Sequence, residues 1–220
     1  MPEDRSTTMP FQRDSFLGFL QYYFRFIVVG ILDLVNYFLG KKRNKMARKA
    51  ASIEYGFYVI LAVIAFFFGL LPTLFVFVIP VLLVRFGMMS GNWGQHAFVD
   101  PEEPDNDYKN SITCINAGYN KKCFNDGYHI GHHLVPNMHW TDMPGEFLEN
   151  LDKYAENKAL VFEGLDFHMV WILLMLKKYD TLADHIVNVN GSTFTDRQDA
   201  IDTMKKRTQR FNKEALAAFS

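Results

Sequence analysis

From Tyr55 to Val84 the sequence contains no charged residue. This stretch is longer than the roughly 20 apolar residues that one membrane-spanning helix requires. Gly69 to Pro72 interrupts it near the middle. Because proline lacks a backbone donor and disfavours helix in the residue before it, a tight turn is expected there. The pattern predicts a transmembrane helical hairpin with short arms, and one long kinked crossing is the alternative.

A second apolar segment, Phe16 to Leu39, precedes this stretch and has one polar side. On a helical wheel its polar residues fall within about 120°. They are Gln21, Arg25, Asp33 and Asn36, and Asp14, just before the segment, falls within the same arc. A stripe of this width suits a helix that lies in the membrane interface, or packs against protein, better than one surrounded by lipid. The segment is also long enough to cross, so both arrangements remain open.

Six basic residues separate the two apolar segments, and the positive-inside rule assigns them to the cytoplasmic side. They are Lys41, Lys42, Arg43, Lys45, Arg48 and Lys49. With a hairpin, the polar chain after Arg85 returns to the same side. We therefore expect an all-α integral membrane protein: a single domain over 1–220, with membrane-associated helices at 11–86 and a cytosolic, histidine-bearing helical cap at 87–220.

Composition excludes several classes of function. The net charge is −1, from 23 basic and 24 acidic residues, so no positive field attracts nucleic acid. The two cysteines, Cys114 and Cys123, do not form a C-x-x-C pair, which argues against a thiolate metal site or a redox motif.

Four of the seven histidines cluster in one short segment. They are His129, His132, His133 and His139. In a helix the first three occupy positions i, i+3 and i+4, so their imidazoles share one face and can converge on a metal ion. Imidazole binds Fe, Zn, Cu and Ni, and the H-E-x-x-H pattern of zinc proteases is absent. Zinc, or histidines without any metal, are the alternatives to iron.

The segment His129-x-x-His132-His133 followed by Leu-Val-Pro resembles the last histidine box of the membrane fatty acid desaturases and their hydroxylase relatives. Upstream, Asn92-x-x-x-His96 is similar to an element that precedes this box in some members. The resemblance covers residues 11–145. It implies that His96, His129, His132 and His133 bind iron directly, and that Asn92 holds a metal-bound water.

Three further residues near the box are candidates with weaker arguments. Asn125 and Asp126 precede it and can fix imidazole tautomers by accepting a ring N–H, or they are simply turn residues. His139 lies six residues beyond His133 and does not share its helical face.

The sequence also departs from the family pattern. Active members carry two more histidine boxes upstream of the membrane hairpin, whereas no histidine precedes His96 here. The segment Met1 to Pro10 looks like the polar linker that follows the second box. We therefore expect an N-terminally truncated desaturase-like chain that has little activity alone.

The resemblance implies a non-haem di-iron enzyme that uses O2 to desaturate an acyl-lipid or acyl-CoA. Its electrons would come from a donor such as cytochrome b5 or ferredoxin. The expected location is the endoplasmic reticulum, with the plastid second. Lipid hydroxylation, or a non-catalytic membrane fragment or subunit, are the alternatives.

Overall fold

The computed structural model describes residues 7–212. Most of the linker expected at Met1 to Pro10 therefore lies outside the described residues. The described chain divides into two compact units. The first contains Leu20–Met89, and the second contains Thr8–Phe19 together with residues 90–212. Both are mainly helical, which confirms the predicted fold class.

Three long helical stretches make up the first unit and extend a few residues beyond it at each end. Helix α1 spans Phe16–Gly40 and α2 spans Asn44–Phe68. The third stretch, Leu70–Gln95, consists of α3 (Leu70–Thr73), a π-helical turn (Leu74–Val78) and α4 (Ile79–Gln95). All three are long and apolar enough to cross a membrane. The apolar helices are thus confirmed, and they extend further at their polar ends than the uncharged stretch alone indicates.

The predicted turn lies at Gly69, which separates α2 from α3. Its backbone has φ 92° and ψ 156°, a conformation that is essentially restricted to glycine. Beyond the turn the chain folds back, because Arg85 on α4 forms an ion pair of 2.7 Å with Glu54 on α2. The Tyr58 hydroxyl also donates to Glu54 at 3.0 Å. The paired charges lie at similar distances in sequence from Gly69, as expected for the two arms of a hairpin.

Helix α1 packs against α4 through one aromatic residue. The Tyr23 hydroxyl donates to the backbone oxygen of Leu82 at 2.9 Å, and its ring meets that of Phe86 edge-on at 5.4 Å. Within the polar stripe of α1, Arg25 pairs with Asp33 at 2.7 Å. Two of the polar residues of α1 are therefore satisfied within the helix itself.

The second unit carries short elements around a small parallel β-pair. Strands β1 (Ile112–Ile115) and β2 (Leu160–Glu163) pair in register from Ile112 with Leu160 to Ile115 with Glu163. Sequence analysis did not predict this pair. The helices are α5 (Asp107–Asn110), α6 (His129–Leu134), α7 (Met143–Glu149), α8 (Leu151–Glu156), α9 (Phe167–Met175), α10 (Tyr179–Asp184) and α11 (Arg197–Arg207), with a 3₁₀ turn at Val189–Gly191.

A buried arginine connects distant parts of the second unit. The Arg13 side chain is fully buried and donates to the backbone oxygens of Ala97 at 2.9 Å, Arg207 at 2.7 Å and Gln209 at 2.8 Å. Its guanidinium also lies over the Phe211 ring, at 5.1 Å. Burial lowers the pKa of Arg13 to about 9, which leaves it charged at neutral pH.

The ion pair between Glu54 and Arg85 provides a test of the hairpin. Both side chains are mostly buried, so Glu54→Gln should lower the free energy of unfolding by about 1–3 kcal/mol by leaving Arg85 without its counter-charge. Thermal unfolding in detergent micelles, with Arg85→Gln and the double variant, gives the coupling between the two residues.

The matched control is Arg25→Gln, which breaks the more exposed pair within α1 and should cost less than about 1 kcal/mol. Strictly additive effects at Glu54 and Arg85 would contradict the hairpin contact.

Candidate metal centre

His96 directly follows the last residue of α4. Its backbone N–H donates to the Asn92 oxygen at 3.1 Å, so helical geometry continues to His96 and puts Asn92 one turn before it. The preceding turn is firmly held, because Trp93 is fully buried and its indole donates to the Arg13 oxygen at 2.9 Å. Gly94 allows a close approach, since a Cβ there would clash with the backbone oxygen of Phe167.

Helix α6 carries the three histidines of the box. Ile130 is fully buried in a core that includes Tyr154 and Val161. This anchor fixes the rotation of α6, so that His129 and His133, one turn apart, present their rings to the same side. His129 is buried, His133 is half-buried and His132 is exposed.

The turn before α6 is clamped to β1 by a single asparagine. The Asn120 amide donates to the Cys114 oxygen at 2.8 Å, and its Oδ1 accepts from the Gly127 N–H at 3.0 Å. The Cys114 N–H in turn donates to the Gly127 oxygen at 2.7 Å. These bonds fix the start of α6 relative to the β-pair, although nothing in the local sequence pattern identified Asn120 or Gly127.

Three imidazoles converge at one point. Candidate ligand atoms of His96, His129 and His133 all lie within 4.8 Å of one another. The Nε2 atom of His129 is 3.2 Å from the Nε2 of His96 and 3.2 Å from the Nε2 of His133. Two nitrogens bound at about 2.1 Å to one ion lie roughly 3.0–3.4 Å apart for octahedral to tetrahedral angles. Both distances from His129 therefore fit nitrogen ligands that share one ion.

A backbone carbonyl sets the tautomer of His96. Its Nδ1 lies 2.9 Å from the Asn110 oxygen. Because a carbonyl only accepts, Nδ1 carries the proton, and the lone pair of Nε2 points into the cluster. Asn110 was not a sequence candidate, since its contribution comes from the main chain at the end of α5.

His129 is held in its neutral form. Burial, together with the neighbouring imidazoles of His96, His133 and His132, lowers the pKa of His129 well below its ordinary value. Its Nδ1 is buried and has no hydrogen-bond partner among residues 7–212. A neutral imidazole with an available Nε2 is the form that binds a metal ion.

The remaining sequence candidates lie around this trio. The ring of His132 is 5.6 Å from that of His129 and 5.9 Å from that of His133, outside the group of converging nitrogens. His139 is exposed and its Nδ1 is 2.7 Å from the Thr141 hydroxyl, so the structure does not bring it to the trio. Asn125 has φ 53° and donates to the Trp140 oxygen at 3.0 Å, which is a turn position.

Asp126 links the two histidine-bearing segments indirectly. Its Oδ2 accepts from the Gln95 amide at 3.2 Å and from the Tyr119 hydroxyl at 3.4 Å. Gln95 directly precedes His96 in the chain. Burial raises the pKa of the Asp126 carboxyl above its ordinary value. The structure thus joins the end of α4 to the approach to α6 through a half-buried carboxylate.

Comparison with known proteins identifies the class. The chain matches the fatty acid desaturase family over residues 2–164, which is well over half of its length. This protein therefore belongs to the fatty acid desaturase family. No curated protein and no solved structure matches the chain. The family match includes every histidine of the cluster and ends before α9.

The close approach at Gly94 yields a prediction for the site. Gly94→Ala should displace α4 from Phe167, lower the free energy of unfolding by about 1–3 kcal/mol and weaken metal binding at His96. Thermal unfolding and metal titration of the variant measure both effects. The control is Gly145→Ala, where a Cβ would meet nothing within 4 Å. Equal behaviour of the two variants would show that this contact does not position His96.

Proposed function

We propose that this chain is the histidine-bearing part of a membrane-bound, O2-dependent fatty acid desaturase with a non-haem di-iron site. One observation carries the proposal: three Nε2 atoms converge in a chain that belongs to the fatty acid desaturase family. Imidazole ligands suit iron, and this trio contains no thiolate that would favour structural zinc.

In this proposal His96, His129 and His133 bind one iron ion through Nε2. His132, on the exposed side of α6, is a ligand available to the second ion, and Asn92 orients a bound water. Iron would supply the activation of O2 and the removal of hydrogen from an unactivated C–H bond, which no side chain can perform. The protein's part is to hold neutral imidazoles in place, through the Asn110 carbonyl and through the burial of His129.

Two ions need more histidines than the four that match the family elements here. Further ligands would have to come from residues outside these two elements. We therefore propose that the chain alone is inactive or nearly so, and that it reaches full activity only with an additional histidine-bearing segment. A non-catalytic subunit is the outcome if no such segment restores activity.

The proposed substrate is an acyl-lipid or acyl-CoA, and the proposed electron donor is cytochrome b5 or ferredoxin. Desaturation removes two hydrogens from the acyl chain, and two electrons from the donor complete the reduction of O2 to water. Hydroxylation begins with the same hydrogen removal, so product analysis distinguishes the two. We propose the endoplasmic reticulum, with the plastid second, as the location.

The basic segment after α1 supports a cytosolic orientation of the histidine region. The chain leaves the second unit at Phe19 and returns to it at Ser90. If the second unit lies on one side of the membrane, the chain between Phe19 and Ser90 crosses the membrane an even number of times. The two arms joined by Glu54 and Arg85 provide two crossings, so we propose that α1 lies in the interface with its polar stripe towards water.

Iron content tests the metal site directly. The purified chain should bind about one equivalent of Fe²⁺, because three nitrogens converge on one point. The double variant His129→Ala, His133→Ala should lose this iron, as measured by elemental analysis. The control His139→Ala should retain it, since this exposed histidine lies outside the trio. Iron retained in the double variant would refute the site.

Turnover tests the need for further ligands. The isolated chain, supplied with a reduced donor, O2 and an acyl-CoA or acyl-lipid, should form no unsaturated product. Mass spectrometry of the extracted acyl chains makes the measurement. Unsaturated product that depends on His129 and His133 would show that this chain is catalytically complete.

A further inference from the structure

Helix α9 is apolar on both of its faces. Phe167, Val170 and Leu174 point inward and are buried. On the opposite side, Met169 and Ile172 are 44% and 47% exposed, and Leu176, just beyond the helix, is 62% exposed. The exposed positions are three and four residues apart, so they form one stripe. A surface helix of a water-soluble protein normally carries polar residues on this side.

The exposed stripe continues onto the start of α1. Phe16 and Leu17, the first two residues of α1, are 49% and 66% exposed. Trp171 joins the two helices, because its ring is 6.5 Å from that of Phe16 and 4.9 Å from that of Phe19. We call this surface the α9 patch: Phe16, Leu17, Met169, Ile172 and Leu176. All of it lies within the second unit.

We propose that the α9 patch rests in the surface of the lipid bilayer, so that α9 is a monotopic membrane contact. The helix has 9 residues, too few to cross a membrane, and therefore lies in the plane of the interface. The α9 patch is continuous with α1, one of the three helices that are apolar enough to enter lipid. This continuity favours lipid over a protein partner, since the same surface already borders a membrane-embedding segment.

The charges beside the α9 patch match the polar layer of a membrane. Lys177 and Lys178 follow Leu176 and are exposed. Next to them lies a polar cavity of about 450 Å³, whose lining carries both basic residues, Lys177 and Lys205, and acidic ones, Asp14 and Asp180. Basic residues at the border of an apolar surface interact with phosphate groups at headgroup level, where tryptophan is also enriched.

The part of the α9 patch that α9 and Leu176 contribute lies outside the residues that match the desaturase family, whereas Phe16 and Leu17 lie within them. The α9 patch does not depend on iron or on catalysis. An apolar surface in lipid would instead hold the second unit against the bilayer and would limit its rotation. The contact is therefore testable in the full chain whatever its activity proves to be.

Lipid contact can be measured with an environment-sensitive fluorophore. In a Cys123→Ser background, where Cys114 is buried and unreactive, single cysteines at Ile172 and Leu176 would be labelled with nitrobenzoxadiazole. The control label is at Leu148 on α7, an apolar residue with a comparable exposure of 65% outside the α9 patch. The full chain is reconstituted into nanodiscs of phosphatidylcholine and phosphatidylserine, with or without spin-labelled phosphatidylcholine.

We expect the spin-labelled lipid to reduce fluorescence at Ile172 and Leu176 by about twofold or more, and aqueous iodide to quench these labels weakly. The label at Leu148 should be quenched weakly by the spin-labelled lipid and strongly by iodide. Iodide quenching equal to that of Leu148 would show that the α9 patch faces water and would overturn the proposal. Protection from both quenchers would indicate a covering protein, such as a second copy of this chain, and would overturn it as well.

Discussion

The buried guanidinium of Arg13 holds together the unit that contains the histidines. It binds backbone oxygens from two segments far apart in sequence, one directly after His96 and one at the end of α11. A buried charge without partners would be costly, so these carbonyls and the Phe211 ring stabilise it only when all are correctly placed. The position of His96 therefore depends on an arginine that precedes the first membrane helix.

The histidine cluster combines a helix end with a short helix on a β-pair. His96 is positioned by α4, by the buried Trp93 and by the Asn110 carbonyl. His129 and His133 are positioned by α6, which Ile130 anchors in the core. Because the His96 N–H donates to the Asn92 oxygen, the backbone of His96 is held by the last helical turn of α4. A ligand held in this way loses little conformational freedom when an ion binds.

Sequence analysis predicted the features that depend on local spacing. The uncharged stretch and its interruption at Gly69 predicted the hairpin. The i, i+4 spacing of His129 and His133 predicted that their side chains share one helical face. The features it missed depend on contacts between distant residues. Neither the pairing of β1 with β2 nor the Asn120 clamp has a local signature, and the Asn110 carbonyl belongs to the main chain. The individual roles of His132, Asn92 and Asp126 remain predictions, because they require a metal ion and its water.

The π-helical turn at Leu74–Val78 has a consequence for length variation in this chain. A π turn contains one residue more than an α turn of the same height, so it shifts the angular phase of everything that follows on the helix. Losing one residue here would restore a regular helix, yet it would turn Arg85 by about 100° away from Glu54. Among homologous chains, insertions and deletions should therefore be rare within this apolar arm, even where its lipid-facing side chains vary freely.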